Sequence, residues 1–144
     1  MRIFLDTSAL VVLYHAEPKT FQVEAYAKGA RIFISRLALT EFRSTVYKLV
    51  RGGSLSLHAG RGLVEAFRKD LGKYQIQEVD TNVWRESADL VEKYSSRINL
   101  RTLDAVQLAS AKRVDARNSV KEFITLDVHG LSQAAKAEGF TIRP

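Results

Sequence analysis

The chain has 144 residues, with 22 Lys plus Arg against 16 Asp plus Glu and no Cys, for a formal charge of +6. That length suits one domain with its own core, and the lack of cysteine excludes a disulfide framework, a thiolate nucleophile and any Cys-containing zinc site. The longest apolar stretch, Ala9 to Tyr14, is far short of the about 20 residues that cross a bilayer, so a cytoplasmic protein without membrane contact is expected.

Taken in chain order, short apolar runs alternate with longer segments of helical period, which is the α/β pattern. The first strand is read over Arg2 to Leu5. Its unbroken Ile3-Phe4-Leu5 run suits a parallel strand covered on both faces, and a helix starts at Thr7 or Ser8. Arg31 to Ile34 reads as a second strand. Leu39, Phe42, Val46 and Leu49 then recur at helical spacing until Gly52-Gly53, where a left-handed C′ residue is expected. Val64, Phe67 and Leu71 mark another helix closing at Gly72, and Gln75 to Val79 a third strand. Val83, Ser87, Leu90, Val91 and Tyr94 mark a helix with Thr81 as N-cap. Thr102 to about Arg117 reads as an Ala-rich helix and Glu122 to Leu126 as a strand. Leu131, Ala134 and Ala135 form a last helix stopped by Gly139, before a short Phe140 to Ile142 strand. The expected fold is a single α/β domain, a central parallel sheet of about five strands flanked by helices.

Four acids sit where acids are informative. Asp6 directly follows the first strand, which places it at the C-terminal edge of a sheet, where α/β folds build their sites. Asp127 repeats that arrangement after Phe123-Ile124-Thr125-Leu126, with an N-cap of the last helix as its other reading. Asp104 shares a helix face with Leu108 and Ala111, so its carboxylate turns inward at the first turn, where the helix dipole also favours an anion. Glu41 flanks the Leu39/Phe42/Val46 stripe beside Thr45 and Lys48 and, taken alone, reads as a solvated surface acid.

Together these acids can converge on one sheet edge. Such a cluster survives only if cations share it, and hard oxygen ligands without His or Cys select Mg²⁺ or Mn²⁺. His15, His58 and His129 show no metal-ligand spacing, so zinc is not expected. Withdrawing four acids into a pocket leaves 22 basic residues facing 12 acidic ones, a surface suited to a polyanion. One basic strip is Arg36, Arg43, Lys48 and Arg51; Arg97 and Arg101 form another, and Arg43 and Arg101 are the candidates for contact with its phosphates. Tyr14, Phe21, Tyr47, Tyr74 and Trp84 are read as packing groups rather than base-stacking ones. For Asp104 the two readings differ in sign. In a metal cluster, Asp104→Asn should stabilise the cation-free protein; in a cap, it should cost about 0.5–2 kcal/mol.

The segments Phe4-Leu-Asp-Thr-Ser-Ala-Leu, Leu39-Thr-Glu-Phe-Arg-Ser, Leu100-Arg-Thr-Leu-Asp-Ala-Val-Gln-Leu-Ala-Ser-Ala and Phe123-Ile-Thr-Leu-Asp resemble, in order, the four acidic motifs of the PIN-domain ribonucleases. More narrowly they resemble the VapC-type toxins of prokaryotic toxin–antitoxin pairs. The resemblance implies one PIN domain over residues 1–144, acting as an Mg²⁺- or Mn²⁺-dependent endoribonuclease on single-stranded RNA through a metal-activated water. It carries the catalytic acids onto Asp6, Glu41, Asp104 and Asp127, with Asp6, Asp104 and Asp127 as metal ligands and Ser8 as the supporting first-motif hydroxyl. It also implies a homodimer restrained by a VapB-type antitoxin whose tail occupies the site. Two rivals differ in class. A phosphoacceptor domain needs adjacent acids early and a Lys after a late strand, and has neither here; a catalytically silent basic RNA-binding module needs no inward-facing acids.

Overall fold

The unbroken apolar runs form five short strands: β1 (Arg2–Leu5), β2 (Arg31–Ser35), β3 (Tyr74–Gln77), β4 (Glu122–Ile124) and β5 (Thr141–Arg143). In the computed structural model, which describes residues 1–144, they make one all-parallel sheet in the order β3-β2-β1-β4-β5. Around it lie α1 (Thr7–Val12), α2 (Thr20–Ala27), α3 (Leu37–Arg51), α4 (Leu57–Asp70), α5 (Thr81–Tyr94), α6 (Thr102–Asn118) and α7 (Gly130–Ala137). No helix is long and apolar enough to cross a membrane.

Alternation along each strand divides the apolar side chains between two cores. Ile3, Leu5, Ile34 and Ile124 face α1, α3 and α4, packing with Leu10, Phe42 and Phe67. Phe4, Phe33 and Phe123 face the opposite side and meet Leu90, Leu108 and Leu131 of α5, α6 and α7. Stacked rings anchor both layers, Phe42 on Phe67 at 4.2 Å and Phe4 on Phe123 at 5.3 Å between centroids. The chain lays β2 and β3 to one side of β1, then crosses back to lay β4 and β5 on the other. The C-terminal ends of β1 and β4, paired through Leu5 and Ile124, therefore border the crevice where the strand order reverses.

The observed boundaries depart from the sequence reading in instructive places. Strand β4 ends at Ile124 rather than Leu126, because the Leu126 and Asp127 N–H groups go to the Ser8 and Thr125 hydroxyls instead of to a neighbouring strand. Strand β3 begins and ends earlier than Gln75 to Val79, with Tyr74 paired to Ile32. Helix α5 is capped by Asp80, not Thr81: the Asp80 carboxylate accepts the Val83 N–H at 2.9 Å. Gly53 does adopt the left-handed conformation after α3 (φ +81°), whereas α4 passes through a 3₁₀ turn at Leu71–Lys73 without one at Gly72. Helix α2 is absent from the sequence reading; Val23 is its one buried residue, so no apolar stripe announces it.

Two contacts fix the helices on the α5, α6 and α7 side. Glu138, just after α7, has a side chain 6% exposed and accepts bonds from Lys93 at 2.7 Å, from Lys112 and from the Tyr94 hydroxyl. Burial alone would raise its pKa, but these donors outweigh it and hold the carboxyl down at about 2. At the start of α7, a Cβ on Gly130 would lie 1.8 Å from the Asn99 carbonyl oxygen, so the α7 backbone rests directly on the loop ahead of α6. Gly130→Ala must push that loop away. The expected cost is about 2 kcal/mol or more in chemical denaturation, the upper range for overpacking; an unchanged midpoint would mean the loop yields freely.

Candidate active site

Asp6 leaves β1 in extended conformation and serves as the N-cap of α1. Its Oδ1 accepts the Ala9 N–H at 3.0 Å and the Ser8 hydroxyl at 2.6 Å, and its Oδ2 accepts the Thr125 hydroxyl at 2.7 Å. The residue is 4% exposed. Burial raises its pKa, the Ser8, Thr125 and Ala9 donors oppose that, the charge of Asp127 adds to it, and the balance stands at about 6. The same hydroxyls organise the loop after β4. Ser8 Oγ accepts the Leu126 N–H at 2.9 Å, and Thr125 Oγ1 accepts the Asp127 N–H at 3.0 Å. Asp127 is not the N-cap of α7. His129 holds that position, and Asp127 Oδ1 accepts its N–H at 2.8 Å.

The two helical acids approach from the other side. Glu41 on α3 is half-buried, and its Oε1 accepts the Thr7 hydroxyl and a Gln107 Nε2–H, each at 2.7 Å; the solvated acid read from the sequence alone is not found. Asp104, third residue of α6, has Oδ2 accepting the Arg101 backbone N–H at 3.2 Å and facing Arg101 Nε at 3.4 Å. The capping reading is thus realised, and the carboxylate still borders the crevice. Asp6, Ser8, Glu41, Arg101, Asp104 and Asp127 all line one pocket of about 380 Å³, together with Thr7, Thr45 and Gln107. No three acid or histidine side chains gather tightly enough to ligate a single ion directly.

The basic candidates divide. Arg101 sits in the pocket wall, and Lys48 and Ser44 line an adjoining groove with it. Arg43 does not join them: its guanidinium donates to the Leu39 carbonyl on its own helix. Arg36 pairs with Glu78. Of the aromatics, Tyr14 and Tyr74 are packed in the α4 core as expected, whereas Phe21 is 80% and Trp84 49% exposed. Sequence reading missed Thr7, Thr125 and Gln107. Gln107 carried a signal, a lone amide within the apolar Ala105-Val106-Gln107-Leu108-Ala109 run, every residue of which is buried.

The family model of the PIN domain matches residues 3–137. This chain belongs to the PIN-domain family. PIN domains are generally nucleases. Among solved structures, FitAcB from Neisseria gonorrhoeae superposes with a TM-score of 0.74 at 20% identity, covering 99% of this chain and 96% of that one. VapC20 of Mycobacterium tuberculosis, a sarcin–ricin loop cleaving toxin, gives 0.68 at 18% identity over 99% of both chains. VapBC2 from Rickettsia felis, solved on a promoter DNA fragment, gives 0.67 at 16%, covering 99% of this chain and 98% of that one. At such identities the likeness is one of fold. No curated protein sequence matches the chain.

In this PIN domain Asp6 and Asp104 should respond in opposite ways to loss of charge when EDTA is present. A carboxyl whose folded-state pKa is raised binds its proton more tightly when folded. Its contribution is complete below the ordinary value of 3.8 and is lost as pH rises through about 6. Asp6→Asn should therefore gain stability relative to wild type across that window, by about 3 kcal/mol. Asp104→Asn loses the charge at a helix N-terminus and should fall by about 0.5–1 kcal/mol at neutral pH. Urea unfolding of both variants from pH 4 to 7.5 checks the signs, and a gain for Asp104→Asn would mean cluster repulsion outweighs the cap.

Proposed function

We propose that residues 1–144 act as one PIN domain that cuts single-stranded RNA with Mg²⁺ or Mn²⁺, as the toxin of a toxin–antitoxin pair. The observation that carries this reading is the buried, hydrogen-bonded Asp6 carboxylate, which shares its pocket with Glu41, Asp104 and Asp127 and with no zinc-type donor. The donor set fits a hard cation. Mg²⁺ keeps several waters and needs only one or two direct carboxylates, so a pocket whose acids are spread along its wall is compatible with it. Asp6, Asp104 and Asp127 are the residues assigned to hold the ion, directly or through water. Bound there, it would supply Lewis acidity toward a phosphodiester oxygen and a more acidic water.

The chain's own residues have distinct tasks in this reading. Ser8 and Thr125 fix the two Asp6 oxygens, so the carboxylate needs no reorganisation when substrate arrives. Glu41 keeps Oε2 free of protein donors, and that oxygen is assigned to orient the attacking water. Arg101 and Lys48 meet flanking phosphates, which an all-acidic pocket would repel. The VapC20 and VapBC2 likenesses support the toxin assignment and a cognate VapB-type antitoxin; the homodimer rests on the motif resemblance alone. Leu103 and Val128, 45% and 62% exposed beside the acids, offer an apolar rim to an antitoxin segment covering the pocket.

Purified protein incubated with RNA in Mg²⁺, Mn²⁺ or EDTA tests the reaction. Cleavage confined to the metal-containing arms is expected, abolished by Asp6→Asn with the circular dichroism spectrum retained. Equal cutting in EDTA would overturn it, and metal-indifferent binding without cleavage would identify a silent RNA-binding module. Binding measured against salt sorts the arginines. Arg101→Ala should lower the slope by about one unit per lost phosphate contact, while Arg43→Ala, removing a group turned onto its own helix, should leave it unchanged.

A further inference from the structure

Gln107 is 3% exposed, lies one turn beyond Asp104 on α6, and reaches across the crevice to α1 and α3. Its Nε2 donates to Thr7 Oγ1 at 3.0 Å and to Glu41 Oε1 at 2.7 Å, while the Thr7 hydroxyl donates to the same Glu41 oxygen at 2.7 Å. The three atoms close a triangle. The amide must present its nitrogen to this corner, since the reverse orientation would set Oε1 against a carboxylate oxygen. Gln107 Oε1 is consequently buried with no donor.

An unpartnered buried acceptor is a cost that a leucine at this position would avoid. Packing therefore does not account for the amide, whereas its N–H group does. With Oε1 of Glu41 held by two donors, rotation of that carboxylate is restricted and Oε2 is the oxygen turned to the pocket. Thr7 is next to Asp6 in sequence and Gln107 is three residues from Asp104, so the triangle ties Glu41 to the elements that carry the other two acids.

We propose that Gln107, acting with the Thr7 hydroxyl, is a positioning residue that selects which Glu41 oxygen serves the pocket. This rests on the ribonuclease reading only for its kinetic consequence. Without the pair, Glu41 samples several orientations and presents Oε2 in a fraction of them, which lowers kcat more than KM.

Two measurements on the full chain test it. In the metal-free protein, the side-chain amide resonances of Gln107, assigned by their disappearance in Gln107→Leu, should be shifted downfield and protected from exchange in wild type. They should lose both properties in Glu41→Ala. Amide resonances indifferent to Glu41→Ala would overturn the proposal whether or not the protein cuts RNA. In single-turnover cleavage, Gln107→Leu and Thr7→Val should each lower the rate about tenfold or more at unchanged substrate affinity and near-unchanged melting temperature, and Thr7→Ser should restore it. Gln107→Leu should cost nothing further in the Glu41→Ala background; losses that multiply there would mean that Gln107 acts elsewhere. Failure of wild type to cut RNA would count against the ribonuclease reading alone, with the resonances still deciding the triangle.

Discussion

A carboxylate kept almost dry at the end of the central strand is the constraint around which this molecule is arranged. Asp6 caps α1 and so cannot turn away to solvent without uncapping that helix. Two hydroxyls answer the desolvation, one from the next turn of chain and one from the end of β4. Those hydroxyls accept in turn the N–H groups of Leu126 and Asp127, so satisfying Asp6 also sets the path of the chain that carries the fourth acid. Reversal of strand order beside β1 gives the geometry that makes this possible, because it leaves the β1 and β4 ends adjacent with no crossover helix between them.

The legible part of this design is what a residue reveals against its immediate neighbours. An acid straight after Ile3-Phe4-Leu5, or after Phe123-Ile124-Thr125-Leu126, stands out because a strand buried on both faces tolerates acids only at its ends, as with Glu122 at the start of β4. The strands and the long amphipathic helices were legible for the same reason. Glu41 was not, since its partners Thr7 and Gln107 lie 34 and 66 positions away and no local pattern links them. Charge counting placed Arg43 in a basic strip, but the direction of a long side chain is settled by the nearest acceptor, here the Leu39 carbonyl. Helix α2 stayed hidden because it buries one side chain, and the assignment of the four acids to one function came from motif resemblance rather than from spacing.

Charge is distributed so that attraction and repulsion operate at different ranges. The net +6 acts over the whole surface and is screened within about a Debye length, which suits capture of a polyanion. The acids act only within the pocket, where their field is weakly screened. Arg101 belongs to both regimes: it offsets Asp104 at 3.4 Å and forms the wall shared by the acidic pocket and the Lys48 groove. Under the proposed function, a phosphate passing from rim to pocket would meet the same guanidinium throughout.

The two most perturbed carboxyls of the domain lie on different machinery and are displaced in opposite directions. Glu138, which gathers α5, α6 and α7 through Lys93, Lys112 and Tyr94, stays ionised down to about pH 2, while Asp6 takes up its proton near 6. Acidification therefore follows a fixed order. Protonation reaches Asp6 while Glu138 still holds Lys93, Lys112 and Tyr94, so in the metal-free chain the crevice gives up its central charge before the three-helix face gives up its anchor.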